Sequence, residues 1–185
     1  MPYRLPRQGL GPVERIPMDI PVRKVAAGEA KALATFAEAC FRETFGYLFP
    51  EQAMDHLCLR AFAPALLGAL IEQGAWVAEG PGGWRGYAAL SSAPCPVPGL
   101  PQPQLELCRL YVSQEWHGQG VSGALMAAVL DEARLRGVRG IWLESFEGNP
   151  RAQGFFRRWG FRDLGGQVQV TEGVHLPHRI MGLTL

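Results

Sequence analysis

Residues 105–123 read LELCRLYVSQEWHGQGVSG, and the fold turns on them. Leu105–Val112 suits a β-strand. Trp116 to Gly123 is a glycine-rich turn, and Gln119–Arg136 reads as the helix it opens. In that helix Val121, Ala124, Leu125, Ala128, Val129 and Leu135 line one face, and Gly137 stops it. Arg139–Ser145 (RGIWLES) is a second strand. A strand, a crossover helix and a strand of this length predict a parallel pair. Glycines between strand and helix let the main chain approach a ligand closely. The first, unpaired N–H groups of the helix then face an anion, helped by its positive end, and phosphate is the natural guest.

Taken literally, Gly118-x-Gly120-x-x-Gly123 is a dinucleotide fingerprint, with Glu144 about 20 residues further on, where a ribose-binding acid would stand. Such an NAD(P)-dependent oxidoreductase needs repeated strand–helix units around the turn. Upstream lie instead a helical stretch (Gly28 to Tyr47), one or two helices over Glu51 to Gln73 broken near Pro64, a hairpin (75–79 and 84–90) and the proline-rich loop Ala93–Pro103. Downstream, Asn149-Pro150 opens a short helix with asparagine as cap and proline in its first turn. Two strands, Phe161–Val170 and Val174–Leu185, complete the chain, too little for a second mononucleotide-binding half. No lysine follows the glycines, which excludes a Walker-type loop.

The chain has 185 residues, of which 48% are hydrophobic and 19% charged, and a net charge of +1. That is one ordinary globular domain with no global field for nucleic acid or an anionic membrane. Five prolines in residues 1–21 predict an N-terminal arm over 1–20 ahead of one domain over 21–185. Cys40, Cys58, Cys95 and Cys108 form no CxxC pair, as expected of a reducing, cytoplasmic setting. The start has no apolar core long enough for a secretory signal, and prolines bar the longest uncharged run from forming a membrane helix. His56, His175 and His178 lack metal-ligand spacing, so no metal is expected.

The turn resembles the acyl-CoA-binding motif of the GNAT superfamily of N-acetyltransferases, Gln/Arg-x-x-Gly-x-Gly/Ala, here His117-x-x-Gly120-x-Ser122. A second block, Ile141-Trp142-Leu143, Phe146-Glu147, Asn149, Ala152, Phe155, Phe156 and Gly160-Phe161, is similar to that family's later conserved region. The resemblance spans roughly residues 20–185 and is nearest to the PaiA-like, polyamine-type branch. His117 for Gln or Arg and Ser122 for Gly or Ala are departures from the pattern. The resemblance implies an α/β (α+β) fold: a mixed, mostly antiparallel sheet with one splayed parallel strand pair, flanked by helices. It implies acetyl-CoA as co-substrate, its pyrophosphate held by the N–H groups of Gly118, Gln119, Gly120, Val121, Ser122 and Gly123. Its pantetheine arm would lie along main-chain groups of Leu110, Tyr111 and Val112, with the Val112 N–H polarising the thioester carbonyl. Asn149, Phe155 and Phe156 would form the other wall, and Arg157 or Arg158 would reach the phosphates.

The implied reaction is direct acetyl transfer to a primary amine of a small molecule or peptide in a ternary complex. An alkylamine has a pKa of about 10.4, so a base must take its proton. Glu106 is the leading candidate, by alternation on the side of Leu110 and Val112 unless a bulge changes the parity. Glu144 and Glu147 are alternates. Many family members carry tyrosine where Phe156 stands, and phenylalanine donates no proton. Ser145, Tyr111 or water then substitutes, the thiolate leaves unassisted, or the protein binds acyl-CoA as a non-catalytic regulator. Cys108 is expected to be a small filler, not a nucleophile. A monomer or homodimer is compatible with the sequence.

Overall fold

A computed structural model describes residues 20–185. The arm expected over residues 1–20 lies, apart from Ile20, outside the described residues. Seven strands form one sheet in the order β1-β2-β3-β4-β5-β7-β6. They are β1 (Val22–Lys24), β2 (Ala75–Gly80), β3 (Gly83–Ser91), β4 (Gln104–Val112), β5 (Gly140–Phe146), β6 (Arg162–Thr171) and β7 (Val174–Thr184). Five helices flank it: α1 (Ala30–Phe45), α2 (Glu51–Ala61), α3 (Pro64–Gly74), α4 (Val121–Leu135) and α5 (Pro150–Arg158). Every neighbouring pair is antiparallel except β4 and β5. That parallel pair, with α4 as its crossover, is the arrangement the strand–helix–strand spacing requires.

The sheet separates two apolar cores. On one side Val121, Leu125, Met126 and Val129 of α4 pack with Leu105, Leu107, Ile141, Leu143, Phe156 and Phe161. On the other, Leu33 and Ala37 of α1, Met54 and Cys58 of α2 and Leu67 of α3 pack on Val77, Tyr87 and Ala89. Pro64 ends α2 and starts α3 because proline fits only the first turn of a helix. The loop between β3 and β4 folds over the sheet, where Trp142 Nε1 donates to Ala93 O at 3.0 Å. Strand β1 was not expected, since the three residues Val22–Lys24 are too few to show a period.

Two irregularities position everything that follows. Strand β4 carries a bulge: Ala89 pairs with Arg109 and Leu90 with Leu107, so Cys108 has no partner across the ladder. Parallel pairing of β4 with β5 runs only through Gln104/Gly140, Leu105/Ile141 and Glu106/Trp142. Beyond those three registers the strands part.

Candidate functional site

At the start of α4 the chain turns through Gly118 (φ 77°) and Gly120 (φ 85°), both in the left-handed region that glycine enters without strain. Gly120 is the N-cap, and the first helical bond runs from Ala124 N to Gly120 O at 3.0 Å. The N–H groups of residues 118 to 123 find no acceptor among the described residues, as the geometry of a helix start dictates. Six amide hydrogens are therefore left without an acceptor at and just before the positive end of a 15-residue helix.

His117 fastens this turn to the strand before it. Its Nε2 lies 2.9 Å from Val112 O, and its Nδ1 lies 2.7 Å from Arg151 Nη1. A guanidinium only donates, so Nδ1 accepts and the Nε2 hydrogen goes to the Val112 carbonyl. Arg151 brings a positive charge from the first turn of α5 to the edge of the anion-binding turn. Sequence reasoning passed over it in favour of Arg157 and Arg158. Arg158 is exposed at the far end of α5, roughly 10 Å along the axis from Arg151. Arg157 donates to Gln153 Oε1 at 3.1 Å. No spacing rule links Arg151 to His117, 34 residues away.

The gap between β4 and β5 opens beside this turn. Ser113 N donates to Arg85 O at 2.9 Å, which makes Ser113/Arg85 a bonded pair of the β3–β4 ladder. Bonded and non-bonded pairs alternate, so Val112 opposite Gly86 and Leu110 opposite Ala88 direct their N–H and C=O groups away from β3, into the gap. Tyr111 does the reverse. Its carbonyl lies against Gly86 of β3, so its main chain does not face the gap as expected. Its ring stacks on Tyr87 at 5.6 Å, in the α1-side core. Gly86 itself is required, because a Cβ there would meet Tyr111 O at 2.8 Å.

The bulge also corrects the expected parity of Glu106. Leu105 and Leu107 face the α4-side core, and so do Leu110 and Val112. Glu106 therefore points to the α1 side, with Cys108 and Tyr111, and not with Leu110 and Val112. Ser91 Oγ donates to it at 2.5 Å. Glu144 shares that face on β5, two residues past the last paired position, where the strands part. Gln167 Nε2 donates to Glu144 Oε1 at 2.5 Å, and Gln169 Nε2 donates to its other oxygen. Burial raises the Glu144 carboxyl above its ordinary range; nearby His178 lowers it and the Glu106 charge raises it further. Glu147, by contrast, is exposed and lies 3.6 Å from Arg179. Burial pushes the Cys108 thiol up to about 12, which leaves too little thiolate for nucleophilic chemistry.

Asn149 uses its side-chain oxygen to cap α5, accepting from Ala152 N at 3.1 Å. Phe155 and Phe156 are 5.5 Å apart and pack into the α4-side core, Phe156 also against Phe161 at 5.8 Å. Among the described residues no three His, Cys, Asp or Glu side chains are grouped to hold a metal. No single helix among them is long and apolar enough to cross a membrane.

The sheet thus splays beside a helix start whose N–H groups are left without acceptors. The model of the acetyltransferase (GNAT) family matches residues 32–161. The chain belongs to that family. It is 40% identical over 71 residues to an uncharacterized N-acetyltransferase of Mycobacterium tuberculosis, a match covering 38% of this chain and 45% of that protein. The chain thus spans less than half the length of such curated relatives. Its fold is similar to that of the PaiA N-acetyltransferase of Thermoplasma acidophilum in complex with coenzyme A, with a TM-score of 0.69 and 17% identity over 91% of this chain and 100% of that one. It is also similar to yncA, a putative acetyltransferase of Salmonella typhimurium with acetyl-CoA, with a TM-score of 0.65 and 18% identity over 90% and 94% of the two chains.

Proposed function

We propose that this protein transfers an acetyl group from acetyl-CoA to an amine by direct attack, with no covalent enzyme intermediate. One observation carries the reading: β4 and β5 part after Glu106/Trp142, beside a helix start whose six N–H groups lack acceptors. A diphosphate fits those hydrogens, and Arg151 adds a cation to them. An extended pantetheine arm leaving the turn meets Val112 first and Leu110 about 7 Å further in. The N–H groups of Val112 and, deeper in the gap, Leu110 both face away from β3, and this reading seats the thioester carbonyl on that of Leu110.

The acceptor approaches from the α1 side, where Glu106 and Glu144 present carboxylates at the point of parting. The amine proton passes to Glu144, whose burial raises its proton affinity, with Glu106 supporting it by charge. The nitrogen lone pair attacks the thioester carbon, the carbonyl oxygen gains charge against the Leu110 N–H, and the C–S bond breaks as the nitrogen gives its second proton to solvent. The thiolate of coenzyme A leaves without a tyrosine acid at Phe156; a thiol of pKa about 8.5 is a good enough leaving group for that.

Thiol release from acetyl-CoA across a panel of polyamines, amino acids, aminoglycosides and peptides tests the reading. At least one amine is expected to give turnover with its N-acetyl product. Tight coenzyme A binding without release for any amine would instead make the protein a sensor of acyl-CoA, the alternative that Phe156 favours, and gain of turnover in Phe156→Tyr would identify the missing acid.

A further inference from the structure

We propose that Arg109 is a specificity-determining residue of the acceptor cleft, and that the amine acetylated here also carries a carboxylate: an amino-acid-like zwitterion, not a polyamine. The inference rests on the acetyl-transfer reading and names its substrate class. The β4 bulge at Cys108 sets Arg109 among Tyr87, Tyr111, Cys108 and Glu106, whose side chains belong to the α1 side of the sheet. The residue keeps partial solvent exposure, although its guanidinium is largely surrounded by protein. Its one hydrogen bond to another residue is from Nη1 to Cys108 O at 2.9 Å, and among the described residues no carboxylate oxygen lies within 4 Å of it. Beside it the hydroxyl of Tyr87, a wholly buried residue, has no hydrogen-bond partner.

A largely desolvated guanidinium with open donors is costly until an anion fills it. Its planar fork suits a carboxylate, which accepts two parallel N–H bonds from it. The same face holds Glu106 and Glu144, neither ion-paired with Arg109. One cation and two anions left unpaired on one wall match a ligand that brings the opposite charges: an ammonium for the glutamates and a carboxylate for the arginine. A polyamine supplies the first and is repelled by the second.

Matched pairs that differ only in the carboxylate test this: ornithine against putrescine, lysine against cadaverine, arginine against agmatine. The wild-type protein is expected to show a kcat/KM at least tenfold higher for the amino acid of a pair. Arg109→Gln should raise the amino-acid KM tenfold or more with kcat little changed and, by relieving repulsion, lower the diamine KM, while Arg109→Lys recovers part of the amino-acid loss. Equal losses for both members, or a wild-type preference for the decarboxylated one, would overturn the proposal. Titration calorimetry with the amino acids alone separates it from the catalytic reading. Binding lost in Arg109→Gln sustains the carboxylate site even where no thiol is released, and absence of binding together with absence of preference overturns it.

Discussion

Glu144 and Glu106 are the residues whose protonation decides the proposed chemistry. Glu144 is raised by burial first, and the neighbouring Glu106 charge adds to the shift. Glu144→Gln is expected to lower kcat/KM at pH 7 by roughly 100-fold, within the range of a general base, and by much less at pH 10, where the amine is already neutral. Glu106→Gln removes a like charge, so Glu144 then titrates lower and the acid limb of the pH–rate profile moves to lower pH, with a smaller loss at neutrality. A pH-independent loss in Glu144→Gln would remove it from this role. A side chain's approximate position along β4 and β5 was legible in LELCRLYV and RGIWLES, because alternation is local. The facing of Glu106 was not. It depends on one extra residue in the ladder, which strand periodicity does not reveal.

At the scale of elements, the three residues of β1 are held at the sheet edge by charge as much as by the ladder. Arg23 donates to both oxygens of Glu29 at 2.7 and 2.8 Å and lies 2.9 Å from Glu79 of β2. Glu29 also accepts from Ala26 N at 2.8 Å, closing the turn before α1. The Arg23 hydrogen bonds, then the Ala26 N–H, lower the Glu29 carboxyl to about 2 from 4.5. A depressed carboxylate stabilises the fold above its unfolded value and loses that contribution as pH falls through its folded one. Wild-type protein should therefore melt higher than Glu29→Gln at pH 7, with the difference fading between pH 4.5 and about 2. A melting difference constant over that window would dissociate the clamp from Glu29. Such a contact escapes sequence reading because Arg23 and Glu79 are 56 residues apart. The α5 start was legible, because Asn149-Pro150 caps a helix through a bond three residues long.

At the scale of the whole molecule, the proposed reaction places its two partners on opposite sides of the sheet. The glycine turn opens α4 on one side, Glu106, Glu144 and Arg109 lie on the α1 side, and in the proposal the parting of β4 from β5 joins them. The parallel pair and its crossover were readable from the strand–turn–helix–strand order, and the glycine-rich helix start was readable as a place suited to an anion. The acceptor side was not, because α1 to α3 carry packing patterns in place of motifs. The dinucleotide alternative makes the opposite demand on the same glycines, and ligand-linked stability decides between them. A ligand at 100 times its Kd stabilises the native state by about 2.7 kcal/mol. For a chain of this size each kcal/mol raises Tm by roughly 2–4 °C, so saturating acetyl-CoA is expected to raise it by roughly 5–10 °C. NAD and NADP have no pantetheine arm for the gap and should leave Tm within about 1 °C. Arg151→Ala should reduce the acetyl-CoA shift without abolishing it, since the six N–H groups remain. A shift with NADP that equals or exceeds that with acetyl-CoA would mean that the parted strands are not the cosubstrate's channel, and the assignment of the two sides would fall with it.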